Sequence, residues 1–367
     1  MVKRKRYTWF FILVVLAVFY ISFMYMERTE ISDIDILLVV GIDKVDNEYR
    51  VSGLYNKNGG VDKASDGAKI IEGRGRSFYE AYNDLEQKNL KNVSIAHTTF
   101  YIFGEGAARE GMSQCLDFIE REQTVKTNAL IYLYEGESVN ELMKKSVKQK
   151  NQLNEDLNGI SQKQMDQLKV VDNTVNEVTE FLERDNYNIF IPYLTMDDDQ
   201  IYINGYGVIK DDELVTFLDR NNSITLDFIR NRVRTYPIYL ENQVGLQITD
   251  SQVSSNVKIV NGAIKVIMNV LFESDVKEVT STDHVFESYY MNQLEKQQNQ
   301  YMKDQIENLI DVAKEYQLDI TNSSEKIRNT YINDWETISS HWNKYFSNII
   351  YDYRIESQTG QSYVLGS

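Results

Sequence analysis

Three aspartates near the start of the chain could supply a pair of carboxylates for acid–base chemistry. Asp33, Asp35 and Asp43 flank an apolar run in DIDILLVVGID. Because side chains alternate between the two faces of a strand, all three share one face if no bulge intervenes. Paired carboxylates on one face are what a glycosidase-like hydrolase requires. Solvated strand ends account for these acids more simply, so a hydrolase is the less favoured hypothesis.

The residue types that commonly bind metals or act as nucleophiles are sparse. The histidines are His97, His284 and His341, and Cys115 is the only cysteine. Their separation fits no zinc-ligand spacing, and a single cysteine cannot form an intrachain disulfide. Cys115 falls on the apolar face of a predicted helix, which is typical of a small core residue. The sequence therefore predicts no metal site, no cofactor and no catalytic residue.

Two short motifs resemble binding loops but lack the residues that do the binding. Asp197-Asp198-Asp199 has neither the glycine nor the distal glutamate of an EF-hand loop, and it predicts a solvated hairpin turn. Gly73-Arg74-Gly75 has neither the lysine nor the hydroxyl of a phosphate-binding loop. Its glycines are interpreted as residues that satisfy backbone turns.

The elements that position these residues alternate between strands and helices. DIDILLVVGID and YRVSGLYNK are apolar, β-branched runs joined by a polar turn, which predicts a strand pair. Ser77 and Ser138 each precede a glutamate by three residues, the capping-box spacing that starts a helix. One helix is predicted over GAAREGMSQCLDFIERE. The fold class that follows is α+β (mixed α/β), with mixed sheets and packed helices.

We predict three small domains behind an N-terminal segment. The boundaries follow polar turn clusters and helical segments that interrupt the strand pattern. They are 1–26 for a basic tip and anchor, 30–195 for an α/β domain with a helical extension, 196–235 for a small middle domain, and 236–367 for an α/β domain with a long helix over about 282–316.

The apolar stretch from Tyr7 to Tyr25 is long enough to cross a membrane. As a helix it would be about 28 Å long, close to the hydrocarbon thickness of a bilayer. The preceding Lys3-Arg4-Lys5-Arg6 favours a cytoplasmic N-terminus. Bulky residues at its end argue against signal cleavage. The sequence predicts a single-pass anchor with everything after it outside the cytoplasm.

The charge balance limits the partners of the chain. Its 55 acidic and 39 basic residues give a net charge of −16. Nucleic acid would repel such a surface, and so would anionic lipid. Membrane residence must therefore come from the apolar helix.

Two tryptophans mark a candidate contact surface. Trp335 and Trp342 lie seven residues apart on a predicted helix and so share one face. They either seal the core of the last domain or form an exposed patch for a partner. The long helix over 282–316 has the same two interpretations, a solvated charged face or a docking surface.

Five segments follow one another along the chain: EISDI before LLVVGIDK, EGRGRSFYEAYNDL, His97 before TTFYIFGEGAAREG, GYGVIKDDELVTFLD and DWETISSHWNKYFSNIIYDYRI. In this order they resemble the Ger(x)C family, the C subunits of bacterial spore germinant receptors. The resemblance runs from about Glu27 to Gln361. The resemblance implies three extracytoplasmic domains on the outer face of the spore inner membrane, without catalytic activity. It also implies two partners, a polytopic permease-like B subunit and an A subunit.

One position departs from the family pattern. Family members carry a lipidated cysteine just before a segment like ERTEISD, and Tyr25 stands at that place here. Without a thiol no lipid can be attached, so the apolar helix is expected to replace it. The expected function is assembly and signal relay within a germinant receptor. The alternatives are an anchored small-ligand-binding protein and an envelope hydrolase.

Overall fold

The computed structural model describes most of the chain. The described residues are 12–20, 34–56, 67–122, 125–149, 153–184, 188–240, 244–279 and 288–360.

The first described segment covers part of the predicted anchor. Residues 12–20 form helix α1. The remainder of Tyr7–Tyr25, including Tyr25 itself, lies outside the described residues. Among the residues that the structure describes, none of the helices combines the length and apolar composition that a membrane span requires.

A nine-stranded mixed sheet forms the first part of the fold, in the order β3-β2-β1-β5-β6-β7-β8-β9 with β4 beside β1. β1, β4, β5, β6 and β7 pair in parallel and the other pairs are antiparallel. The strands are β1 (Ile34–Val45), β2 (Glu48–Asn56), β3 (Ala68–Gly75), β4 (Asn92–Ser94), β5 (Phe100–Gly104), β6 (Leu130–Tyr134), β7 (Ile189–Asp197), β8 (Gln200–Lys210) and β9 (Glu213–Leu218).

Acidic and amide residues make the tight turns of this sheet. Asp198 and Asp199 have φ of 43° and 65°, and the Asp46-Asn47 and Asp211-Asp212 turns are also left-handed. Two successive residues with positive φ match the twist of a two-residue hairpin, and Asp and Asn tolerate this conformation well. The predicted hairpin turn at Asp197–Asp199 and the predicted pairing of β1 with β2 are both confirmed.

Helices cover both faces of the sheet and bury two apolar layers. α2 (Phe78–Lys88), α3 (Glu105–Arg109), α4 (Ser113–Arg121) and α7 (Val175–Leu182) pack on one face. α5 (Val139–Lys148) and α6 (Leu153–Gln167) pack on the other. The single helix predicted over GAAREGMSQCLDFIERE is wrong, because Gly111, with φ of 110°, separates α3 from α4.

A four-stranded sheet in the order β10-β11-β12-β13 forms the last part of the fold. β13 runs parallel to β12, and the other pairs are antiparallel. The elements are α8 (Arg220–Ile229), β10 (Tyr236–Leu240), β11 (Val244–Val260), β12 (Ala263–Val279), α9 (Ser288–Glu315), α10 (Ser323–Thr330), α11 (Ile332–Ser339), α12 (Trp342–Ser347) and β13 (Ile350–Gly360).

One continuous core joins the two sheets. It contains Phe190 and Val208 from the first sheet, Phe228 from α8, and Met268 from the second sheet. The apolar stripe of the predicted long helix, α9, packs into the same core. β8 and β9, from the predicted middle domain 196–235, hydrogen-bond in the first sheet beside β7. The division into three domains stays a prediction.

Candidate functional site

Asp43, one of the candidate catalytic carboxylates, lies at the end of β1 against the start of α5. It is 3% exposed. Its Oδ1 accepts a hydrogen bond of 2.9 Å from Val139 N, and its Oδ2 accepts one of 3.1 Å from Asn140 N. Ser138 completes this helix start by accepting from Glu141 N. The carboxylate thus satisfies two of the backbone donors that every helix leaves open at its N-terminus.

Burial has the largest effect on the pKa of Asp43. It raises the pKa of Asp43, while the hydrogen bonds from Val139 N and Asn140 N act in the opposite direction. The expectation of a solvated strand end is therefore wrong for Asp43, and it is also wrong for Asp35, which is buried. Asp43 is a buried structural carboxylate that joins a strand to a helix.

Asp35 lies on the opposite face of the same strand. The register of β1 against β2 shifts between Leu37 and Val39, which marks a bulge. A bulge adds one residue and reverses the alternation beyond it. Asp35 accepts from Asn89 at the end of α2, whereas Asp43 faces α5. The shared face expected for these carboxylates is thus wrong, and they do not form an acid–base pair. Asp33 lies outside the described residues.

Asp43→Asn is expected to lower the free energy of unfolding by about 2 kcal/mol, because the amide leaves one buried backbone N–H without an acceptor. Urea unfolding of the purified chain measures this change. Asp117→Asn on the exposed side of α4 is the matched control, because Asp117 forms a surface ion pair with Arg121 one helical turn away. Its expected effect is within about 0.5 kcal/mol of zero. Equal unfolding curves for the two variants would contradict the structural role of Asp43.

The remaining residues with potential chemistry are scattered. Cys115 is fully buried, which raises the pKa of its thiol to about 12, and the predicted core position is confirmed. His97 and His341 are exposed on distant parts of the fold, and His284 lies outside the described residues. Over the described ranges, no three of the His, Cys, Asp and Glu side chains come together in a way that could hold a metal ion.

Trp335 and Trp342, the predicted contact residues, lie on two separate short helices, α11 and α12, so the single helix predicted to carry both is wrong. Their ring centroids are 6.0 Å apart with an angle of 60° between the planes, and Trp342 also contacts Phe346 at 5.8 Å. Both indoles are half-buried against the continuous core. Their outer edges remain accessible, and their role in partner contact stays a prediction.

A polar cavity beside the second sheet has both cationic and apolar residues in its lining. It has a volume of about 390 Å³ and lies between the end of α8, the strands β11 and β12, and the start of α10. We call it the basic pocket. Its lining includes the cationic residues Arg230, Arg232 and Lys326, the polar residues Asn231, Ser255 and Thr321, and the apolar residues Val253, Met268 and Ile320.

Backbone turns and amide bonds hold the walls of the basic pocket together. Asn231 has φ of 58°, and its side chain both donates to Val253 O and accepts from Val253 N at 2.6 Å. This pair of bonds fixes the end of α8 to β11. Arg230 donates to Ile320 O at 3.2 Å and lies over the Phe190 ring at 4.4 Å.

Lys326, one of the three cations of the pocket, donates its hydrogen bonds to uncharged oxygens. Its ammonium group donates to Ser255 Oγ and, at 2.7 Å, to Thr321 O. Within the described part of the chain, it has no ion pair with a carboxylate. Burial lowers the pKa of Lys326, against the attraction of Asp319. Asp319 itself accepts from Ser323 N and Ser324 N at the start of α10.

A buried carboxylate lies behind the pocket. Asp227 on α8 is 4% exposed and accepts a hydrogen bond of 2.8 Å from the Tyr206 hydroxyl. Arg232, which pairs with Asp172, donates its backbone N–H to Asp227 O. Burial raises the pKa of Asp227 to about 7. This carboxylate is thus poised to titrate near neutral pH.

Sequence reasoning missed both the basic pocket and Asp227. The cluster Arg230-Asn231-Arg232, which directly follows α8, is visible in the sequence as two cations within three residues and is the local signal for this region. Lys326 lies nearly one hundred residues further along the chain and carries no local signal. Only the packing of the second sheet against α8 brings these residues together.

Two protein-family models together match almost the whole chain. The family described as spore germination protein N-terminal domain matches residues 27–196. The family described as spore germination B3/GerAC-like, C-terminal, matches residues 204–362. The putative spore germination protein YfkR of Bacillus subtilis (strain 168) is 29% identical over 121 residues, which cover 30% of this chain and 32% of that protein. The match thus spans only about a third of that relative.

A solved structure has the same overall fold. The crystal structure of the GerBC protein superposes with a TM-score of 0.58, covering 87% of this chain and 96% of that chain. The two sequences are 17% identical over this superposition. The similarity supports the mixed α/β architecture of sheets and helices.

Proposed function

Because the chain belongs to the Ger(x)C family of spore germination proteins, we propose that it is the membrane-anchored, extracytoplasmic C subunit of a germinant receptor. In this role it assists assembly of the receptor and relays the germinant signal. The observation that carries the proposal is the ordered match of both family domains in one chain, starting directly after the apolar stretch Tyr7–Tyr25.

The sequence supports attachment through a helix in place of a lipid. Tyr25 stands where the family pattern has its lipidated cysteine, and the nineteen residues from Tyr7 to Tyr25 have the length of a single span. The basic cluster before this stretch favours a cytoplasmic N-terminus. The folded part would then stand on the outer face of the spore inner membrane.

The proposed partners are a polytopic permease-like B subunit and an A subunit. The half-buried Trp335–Trp342 pair is the proposed contact surface, because amphipathic aromatic rings with one accessible edge are common at interfaces. Germinant recognition is assigned to the permease-like subunit.

Affinity purification from sporulating cells tests this proposal. A C-terminally tagged chain, extracted in mild detergent, is expected to bring along a polytopic permease-like protein and a larger second subunit, identified by mass spectrometry. A variant without residues 1–26 is expected to leave the membrane fraction, which separates anchoring from partner binding.

Substitutions of exposed aromatic residues test whether the Trp335–Trp342 pair contacts the partners. Trp335→Ala with Trp342→Ala is expected to reduce partner recovery at least fivefold, whereas Tyr239→Ala, at a 72% exposed aromatic on β10, is expected to leave it unchanged. Purification of the tagged chain alone, under conditions that keep other membrane complexes intact, would contradict the proposed function.

A further inference from the structure

We propose that the basic pocket binds a small organic anion, whose carboxylate pairs with Lys326 and whose apolar part lies against Val253, Met268 and Ile320. This inference goes beyond the proposed receptor role, which assigns ligand recognition to another subunit. It concerns binding by this chain alone.

The first argument is the charge of the pocket within an acidic protein. The chain carries a net charge of −16, yet three cations line this one cavity. Arg232 is neutralised by Asp172, and Arg230 is held over the Phe190 ring. Within the part of the chain that the structure describes, Lys326 donates hydrogen bonds to two neutral oxygens, Ser255 Oγ and Thr321 O.

The second argument is the free-energy cost of partly burying the Lys326 ammonium group without an ion pair. A partly buried ammonium group is normally paired with an opposite charge, because desolvation disfavours its charged form. Asp319 attracts Lys326, but both oxygens of Asp319 already accept backbone N–H bonds from α10. An anion in the cavity would pair with Lys326 directly and add to the attraction that Asp319 and Glu325 already exert on it.

The third argument is the shape and chemistry of the walls. A cavity of about 390 Å³ lies within the size range of small-molecule sites. Val253, Met268 and Ile320 give the lining an apolar part beside the cations, and Met268 and Ile320 are each 1% exposed. Inorganic phosphate would use only the cations. An organic carboxylate would use both surfaces, and the pocket therefore favours that class.

A titration of the full-length chain in neutral detergent tests the proposal without any variant in the pocket. The probes are benzoate, its neutral analogue benzamide, and inorganic phosphate. The readout is the spectrum of the chain labelled with ¹³C-methyl methionine, in which Met268 is one of ten methionines. Benzoate is expected to shift the Met268 methyl signal in a saturable way. Benzamide and phosphate are expected to bind at least tenfold more weakly.

Two variants on one helix then identify the cation. Lys326→Met removes the charge that faces the cavity, and it is expected to weaken benzoate binding at least tenfold. Arg328→Met removes an equal charge from the exposed side of α10 and is expected to change affinity less than twofold.

Three results would overturn the proposal. They are the absence of a saturable Met268 shift with benzoate, equal binding of benzoate with benzamide or phosphate, and unchanged affinity in Lys326→Met. The comparison of probes is decisive on its own if Lys326→Met does not fold. Since all measurements use the purified chain, their failure leaves the receptor proposal standing, and failed recovery of partners leaves this proposal standing.

Discussion

Gly73→Ala is expected to lower the free energy of unfolding by about 3 kcal/mol or more, although it adds a single methyl group. Gly73 lies in β3 directly beneath α2. A Cβ atom there would come 2.7 Å from Leu85 Cβ and closer still to the Ala81 carbonyl oxygen. The second contact is with helix backbone, so no side-chain rotation can relieve it. α2 would have to move off the sheet and expose the fully buried Ala81 and Leu85.

A second glycine provides the matched control with the opposite sign. Gly159 lies on the exposed side of α6, and a Cβ added there would meet nothing within 4 Å. Gly159→Ala is expected to stabilise the protein by about 0.5–1 kcal/mol, because alanine loses less backbone entropy in a helix. Urea unfolding of both variants gives the two free energies. A Gly73→Ala protein as stable as the parent would show that the close packing of α2 on β3 is incorrect.

The role of this glycine differs from the one that the sequence suggested. Gly73-Arg74-Gly75 was interpreted as a turn, but both glycines lie within β3 and their φ angles are not among the positive ones. They are required because the α2 backbone approaches the strand closely. That approach depends on the packing of a helix onto a sheet, which residue types alone do not specify.

Features that depend on neighbours in sequence were predicted correctly. Ser77 and Ser138 both accept a hydrogen bond from the backbone N–H three residues later, as their spacing indicated. The strand pair β1–β2 and its two-residue turn were also predicted. These elements rest on local geometry, which short patterns of residue types encode directly.

Features that depend on distant partners were not predicted. α4 begins at Ser113 because Asp212, from the β8–β9 hairpin, accepts hydrogen bonds from Met112 N and Ser113 N. This cap joins residues about one hundred positions apart and ends the continuous helix expected from the apolar pattern. The bulge at Leu38 similarly separated Asp35 from Asp43. Neither event leaves a signal within a short window of sequence.

Asp227→Asn is expected to remove a loss of stability that the parent protein undergoes as the pH rises from about 4 to about 7. Burial raises the pKa of Asp227 from the ordinary range of an aspartate to about 7. The folded protein therefore holds this proton more tightly than the unfolded chain does. The resulting stabilisation is fully present below pH 4 and is lost as the pH rises through 7.

The difference in free energy of unfolding between the parent and Asp227→Asn reports the titration of Asp227. A shift of about three pKa units corresponds to about 4 kcal/mol. Between pH 4 and pH 8 the free energy of unfolding of Asp227→Asn is thus expected to rise by about that amount relative to the parent. Contributions from all other titrating groups are common to both proteins and cancel. Urea unfolding at several pH values measures the difference, and a constant difference would contradict the raised pKa.

Tyr206→Phe removes the hydrogen-bond donor of Asp227 and so tests what sets the pKa of this carboxyl group. The Tyr206 hydroxyl donates to Asp227 and favours the ionised form, so its removal is expected to raise the pKa of Asp227 further. The loss of stability should then continue to a higher pH than in the parent. Arg232 and Arg230 act in the same direction as Tyr206, and Asp172 opposes them. Arg230 and Arg232 also line the basic pocket. An anion bound there would offset part of their positive charge and so favour the protonated form of Asp227.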